Sequence, residues 1–349
     1  MTEPTQPALP VADIARLTAA ILDEVETAVV GMRDALEIAL GAILAGGHIL
    51  FEDVPGVGKT VAARSLSAAL GLDFARLQCT PDLLPADITG AMVFDPAARA
   101  FEFRPGPVFT GLLLADEINR TGPKTQSALL EAMAERHVTV EGVTHSLPAP
   151  FHVIATSNPV EYEGTYPLPE AQLDRFMVRL AVGYPERDEE QDILLRRVAR
   201  REEAVTVNQV VDAATVRALQ AGVEACAVDP DVAAYCVDLA AATRRHVSLE
   251  LGASPRGSQN LLLLARALAA MDGRAFALPE DVKRVAVPVL AHRVVVTPTA
   301  WAGGLQPEDV IRGLLDQVAG PPSVGARDSR VGVTRSAGST GSAGTVAAP

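Results

Sequence analysis

The stretch that most constrains this chain is Asp53-Val-Pro-Gly-Val-Gly-Lys-Thr60. It follows an apolar run, His48–Glu52, and opens a helical pattern from Lys59 to Leu70 that Gly71 ends. A glycine-bearing loop between a strand and a helix, closing on Lys-Thr, is a cradle for phosphate groups. Gly56 and Gly58 let backbone N–H groups turn inward, and the helix start adds its positive dipole end. Lys59 suits the neutralisation of β/γ-phosphate charge, and the Thr60 hydroxyl suits a Mg²⁺ ion. Pro55, Val57 and Val61 complete the candidate nucleotide-binding stretch. Asp53 stands where the strict pattern has its first glycine. The chain has only three lysines, Lys59, Lys124 and Lys283, so one of the three stands where a compact point charge is wanted.

This β-loop-α unit predicts an α/β fold with a parallel sheet, and the remaining apolar runs agree. Gly111–Ala115, Phe151–Thr156 and Val178–Val182 recur with helical or hairpin segments between them, as buried parallel strands with crossovers do. The first of these ends in Asp116-Glu117, where a carboxylate can hold Mg²⁺ through water and its neighbour can take a proton from an attacking water. Phe151–Thr156 leads to Asn158, a group able to orient that water. A helical period through Ile14, Leu17, Ile21, Val25 and Val29, then Met32, Leu36, Leu40 and Ile43, forms a lead-in that Gly46-Gly47 stops.

Past Tyr184-Pro185 the pattern turns Ala/Leu-rich and helical, at Val216–Ala225, Val232–Thr243 and Ser258–Met271, with no strand signal. The acids of Glu186–Glu190 suit a solvated helix start. The expected organisation is a flexible N-terminus over 1–10, a nucleotide-binding α/β domain over 11–185, a helical domain over 186–319, and a disordered Gly/Ser/Ala-rich tail over 320–349.

Composition removes several alternatives. With 48% apolar residues among 349, the chain can bury real cores. A formal charge of −13 opposes nucleic acid and anionic lipid. Cys79, Cys226 and Cys236 form no metal-ligand spacing and read as buried thiols in a reducing compartment. The start Met1–Pro10 has no basic n-region, and neither Ile38–Phe51 nor Leu261–Met271 is long enough to cross a membrane. A cytoplasmic protein without membrane insertion is expected.

Two segments alternate as hairpins: Met92–Phe94 with Phe101–Phe103, and His137–Val140 with Val143–Leu147. His137, His145, His152 and His246 show no metal spacing, Leu261–Leu264 reads as core, and Trp301 reads as a packing residue.

Several long motifs together resemble the MoxR family of AAA+ ATPases: Glu52–Thr60, Gln78-Cys-Thr-Pro-Asp-Leu-Leu-Pro-Ala-Asp-Ile-Thr-Gly90, Phe103–Phe109, Ala115-Asp-Glu-Ile-Asn-Arg120 and Leu168–Phe176. The match spans roughly residues 10 to 315. The resemblance implies a P-loop AAA+ core followed by an all-α lid, with ATP and Mg²⁺ as ligands. It makes Glu117 and Asn158 catalytic, and Arg175 the arginine finger that reaches the γ-phosphate held by a neighbouring subunit. An ordinary salt bridge of Arg175 to Asp174 or Glu170 stays open. Arg256, in Ala253–Gly257, matches the sensor arginine, acting either in its own subunit or on a neighbour. The family further implies a homo-oligomer, a hexameric ring with hairpins toward its pore, chaperone-like remodelling of protein clients, and a von Willebrand A domain protein as partner. A nucleic-acid-associated AAA+ motor is the alternative, opposed by the acidic composition.

Overall fold

The computed structural model describes residues 8–158, 164–202 and 205–321; the expectations for the extreme N-terminus and for most of the C-terminal tail fall outside these. Two helices, α1 (Val11–Glu26) and α2 (Arg33–Leu44), lead into β1 (Ile49–Glu52), α3 (Lys59–Ala69) and β2 (Phe74–Gln78). A single turn, α4 (Pro85–Thr89), and the ribbon β3 (Gly90–Asp95) with β4 (Ala100–Pro105) precede β5 (Leu112–Asp116). Then come α5 (Pro123–Glu135), a second ribbon β6 (His137–Val140) with β7 (Val143–Ser146), β8 (His152–Ser157), α6 (Glu170–Leu173) and β9 (Val178–Leu180). The C-terminal part comprises α7 (Arg187–Arg200), α8 (Ala213–Glu224), α9 (Pro230–Thr243), β10 (Leu249–Leu251), α10 (Pro255–Met271), α11 (Pro279–Leu290), β11 (Val295–Val296), α12 (Pro298–Ala302) and α13 (Pro307–Gln317).

The central sheet has five strands in the order β2-β5-β8-β1-β9, every pair parallel. Its middle strands are apolar because helices cover both faces; β8 is buried throughout. Register sets the ends level: Glu52 lies opposite Ser157, and Gln78 opposite Asp116. Three carboxyl ends, each continuing into polar residues, therefore open on one crevice. One core lies between the sheet, the lead-in helices and the lid, and includes Leu36, Phe51, Leu264 and Leu268; the other lies beneath α5 and includes Leu113, Met133 and Phe151.

The helical C-terminal part, the expected lid, departs from the sequence reading in two details. β10 and β11 form a short antiparallel ribbon, too brief for a two-residue period to register in the sequence. The acids at the start of α7 behave as expected, with the Glu186 N–H donating to Glu189 Oε2 at 2.9 Å in a capping box. Leu261 and Leu264 are core, and the three cysteines are free and buried. Trp301 is corrected: its side chain is 60% exposed, on the five-residue α12 that buries nothing. Among the described residues, no helix is long and apolar enough to cross a membrane.

Candidate active site

The loop after β1 has the shape its glycines foretold. Gly56 and Gly58 both adopt φ of +87°, and a Cβ on either would meet nothing within 4 Å, so conformation rather than crowding requires glycine there. Lys59 follows as the first residue of α3, and its ammonium donates to the Asp53 carbonyl at 2.7 Å. Burial pushes the Lys59 pKa down, while Asp53, Asp116, Glu117 and Glu52 push it back up.

Asp53 is not a blemish in the loop. Its carboxylate is buried and accepts three backbone N–H groups: its neighbour Val54 at 2.7 Å, Val182 at 2.5 Å and Gly183 at 2.7 Å. The position that is glycine in the strict pattern thus ties the loop to the exit of β9, where the chain leaves the sheet toward the lid. Charged acceptors of this kind are worth roughly twice a neutral hydrogen bond.

Across the crevice, Asp116 and Glu117 end β5. Asp116 accepts the Thr156 hydroxyl at 2.7 Å on one oxygen and Arg76 Nη2 at 2.7 Å on the other. Glu117 has φ +58° and ψ +51°, a left-handed conformation uncommon outside glycine and asparagine, and its N–H donates to Thr156 Oγ1 at 2.8 Å. The Glu117 carboxylate accepts Gln78 Nε2 at 2.9 Å and Arg120 Nη1 at 3.1 Å. Asn158 is buried at the end of β8, and its carbonyl accepts Asn119 Nδ2 at 3.3 Å.

These groups line one cleft of about 350 Å³. Pro55, Gly56, Gly58, Lys59, Thr60 and Val61 form one wall, and Asp116, Glu117, Thr156, Ser157 and Asn158 the other. Val57, beside them in the loop, is not part of the lining. Backbone N–H groups, a lysine, a hydroxyl and two carboxylates fit a nucleotide polyphosphate. For Mg²⁺, Thr60 and Asp116 supply hard oxygens, and the Arg76 ion pair shows that the carboxylate draws positive charge. Among the described residues, no group of three or more His, Cys, Asp or Glu could hold a metal ion.

Arg175 and Arg256 are not in this cleft. Arg175 donates Nη1 to the Leu130 carbonyl at 2.7 Å and lines a separate opening of about 440 Å³ with Ser127, Glu131 and Gln172. Arg175 forms an ion pair with neither Asp174 nor Glu170, the alternatives the sequence left open: its guanidinium is on the Leu130 carbonyl, and Asp174 pairs with Arg293 at 2.9 Å. Arg256 is the second residue of α10, whose N-cap, Ser254, donates its hydroxyl to Asp174 beside Arg175. Sequence reasoning missed Gln78, Arg76, Arg120 and Thr156. The first two lie on β2, a half-exposed edge strand whose apolar run Arg76 breaks.

Comparison with known proteins places the chain in a family. Residues 48–178 match the ATPase family associated with various cellular activities (AAA), and residues 241–314 match an AAA lid domain. The chain is 45% identical over 309 residues to the uncharacterized protein YeaC of Bacillus subtilis, spanning 88% of this chain and 96% of that one. It is 42% identical to the chaperone MoxR1 of Mycobacterium tuberculosis, over 85% of this chain and 81% of that one. A crystal structure from Cytophaga hutchinsonii with an ATPase designation superposes with a TM-score of 0.83 at 38% identity, covering 89% of this chain and 97% of that one. The chain is an AAA+ ATPase. Within that class it belongs to the MoxR family.

Proposed function

We propose that this ATPase hydrolyses ATP with Mg²⁺ in the cleft between the Asp53–Thr60 loop and the ends of β5 and β8, and that it does so in a homo-oligomeric ring that remodels protein clients. The observation that carries the reading is the convergence of Gly56, Gly58 and Lys59 with Asp116 and Glu117 on one cleft. The loop's N–H groups and Lys59 bind the phosphates; Thr60 and Asp116 hold the metal, which when bound withdraws charge from the phosphate oxygens. Glu117 accepts the proton of the attacking water as its oxygen bonds to the γ-phosphorus, and the bond to the β–γ bridging oxygen breaks with its electron pair leaving on ADP. Asn158 orients the water. For this, the Glu117 carboxylate turns away from Gln78 and Arg120.

Neither Arg175 nor Arg256 lines this cleft, which favours both acting on the cleft of a neighbouring chain over acting on their own. Exposed Phe94 and Phe101, packed edge to face at the tip of the β3–β4 ribbon, favour an apolar protein client over a nucleic acid. In a six-membered cytoplasmic ring these tips would face the pore, and a von Willebrand A domain protein is the proposed partner.

The test separates binding from turnover. Lys59→Ala loses nucleotide binding, whereas Glu117→Gln keeps binding and loses turnover by about 10²–10⁴, the usual worth of a positioned general base. Equal loss of affinity in both variants would remove these roles.

A further inference from the structure

The segment Leu173-Asp-Arg-Phe176 is held from one side by the lid. Asp174 accepts Arg293 Nε at 2.9 Å and Ser254 Oγ at 3.0 and 3.1 Å. Ser254 is the N-cap of α10, and its hydroxyl also accepts the Arg256 N–H at 3.1 Å. Arg293 is 4% exposed, in a one-turn 3₁₀ helix, Ala291–Arg293, after α11. It donates Nη2 to the carbonyls of Asp174 at 3.3 Å and Phe176 at 2.5 Å, and Nη1 to that of Met177 at 3.2 Å. Its donors bracket Arg175 in sequence. The α6 turn that precedes Arg175 has no fully buried residue; Leu173 packs partly against the core beneath α5, and Arg175 itself is tied to α5 only through the Leu130 carbonyl.

We propose that Asp174 is a positioning residue that joins the Arg175 segment to the Arg256 helix, so that both arginines of one chain are presented to its neighbour as a single rigid piece. This rests on the reading of Arg175 as a group that serves the neighbouring chain. A guanidinium that stabilises a transition state must arrive within a fraction of an ångström, and a carboxylate shared by Ser254 and Arg293 supplies that constraint. Burial pulls the Arg293 guanidinium down, to about 10, while the Asp174 carboxylate beside it pushes it back up.

The test is a mixture of two inactive full-length chains. Lys59→Ala retains an intact finger, Arg175→Ala retains an intact phosphate loop, and co-assembly recovers turnover at interfaces that join the two. Asp174→Asn placed in the Lys59→Ala chain should cut the recovered turnover at least tenfold, and Ser254→Ala there severalfold. The same Asp174→Asn in the Arg175→Ala chain, which has no finger to place, should leave recovery within twofold, with the ATP affinity of that chain unchanged. This second placement also shows that the substituted chain folds and assembles. Equal loss in both placements would make Asp174 a general structural residue and overturn the proposal, as would no loss in either. If the parental mixture stays dead while light scattering shows co-assembly, the reading of Arg175 fails and the proposal fails with it.

Discussion

At the carboxyl edge of the sheet the functional groups are carboxylates, hydroxyls and one lysine, set on strand ends and a loop. At the seam between sheet and lid they are arginines, Arg175 just after the α6 turn, Arg256 in the first turn of α10 and Arg293 after α11, linked through the half-buried carboxylate of Asp174. The first region has the groups proposed to bind nucleotide and activate water, but Arg76 and Arg120 are already engaged with its acids. The second has arginines and no phosphate cradle. Each lacks what the other has, which is the arrangement expected if a complete catalytic unit takes one region from each of two adjacent chains.

The largest expected effect breaks that complementarity at the seam. Arg175→Ala should lower turnover by about 10³–10⁵, the worth of an arginine finger, while ATP affinity stays near wild type. An affinity loss as large as the turnover loss would place Arg175 with its own cleft instead. At the cleft, Arg76→Ala frees one oxygen of Asp116 from its ion pair. The Mg²⁺ concentration for half-maximal turnover should fall severalfold, and an unchanged Mg²⁺ dependence would mean that Arg76 and the metal do not compete.

A third change sharpens how the cleft is held. Asp53→Gly restores the strict loop pattern yet leaves the half-buried N–H groups of Val182 and Gly183 without their acceptor, at a cost toward the lower end of the about 1–3 kcal/mol of a buried group left unpaired. Urea unfolding should register that loss together with weaker ATP binding. A variant as stable as wild type would show that the tie to the β9 exit is dispensable.

A fourth effect, seen only on acidification, concerns the stability of the frame. His48 and His152 are fully buried, each ring with one nitrogen near a carbonyl and the other facing a donor: Met133 O and Val153 N–H for His48, Gly47 O and Gln220 Nε2 for His152. That pattern fits neutral imidazoles. Burial lowers His48 to about 3 and His152 to about 4, Arg136 adding to both. Both folded values lie below the unfolded value of about 6.5, so the unfolded chain binds more protons. Stability is therefore full above about pH 6.5 and falls as pH drops toward 4, by at most about 1.4 kcal/mol per histidine per pH unit. His152→Gln should flatten that slope, as read from unfolding midpoints between pH 4 and 7.

Much of the cleft was legible in the sequence, because strand ends carry their chemistry in consecutive residues: Gly58-Lys59-Thr60, Asp116-Glu117 and Thr156-Ser157-Asn158. The groups that hold these in place were not. Gln78 and Arg76 reach Glu117 and Asp116 only because β2 pairs with β5 in one register, a long-range fact with no local signature. Asp53 read as a departure from a pattern because its partners lie about 130 residues further on. Trp301 misled for a related reason, since aromatic size suggests packing while exposure depends on what the rest of the chain places beside α12.

The most direct test of the split site is wild-type turnover per chain measured across dilution, with the assembly state followed in the same samples. The account predicts that turnover per chain falls steeply as oligomers dissociate, reaching the level of Arg175→Ala in the monomer while the monomer still binds ATP. Turnover per chain that stays flat down to a demonstrated monomer would contradict it, since one chain would then hold a complete site.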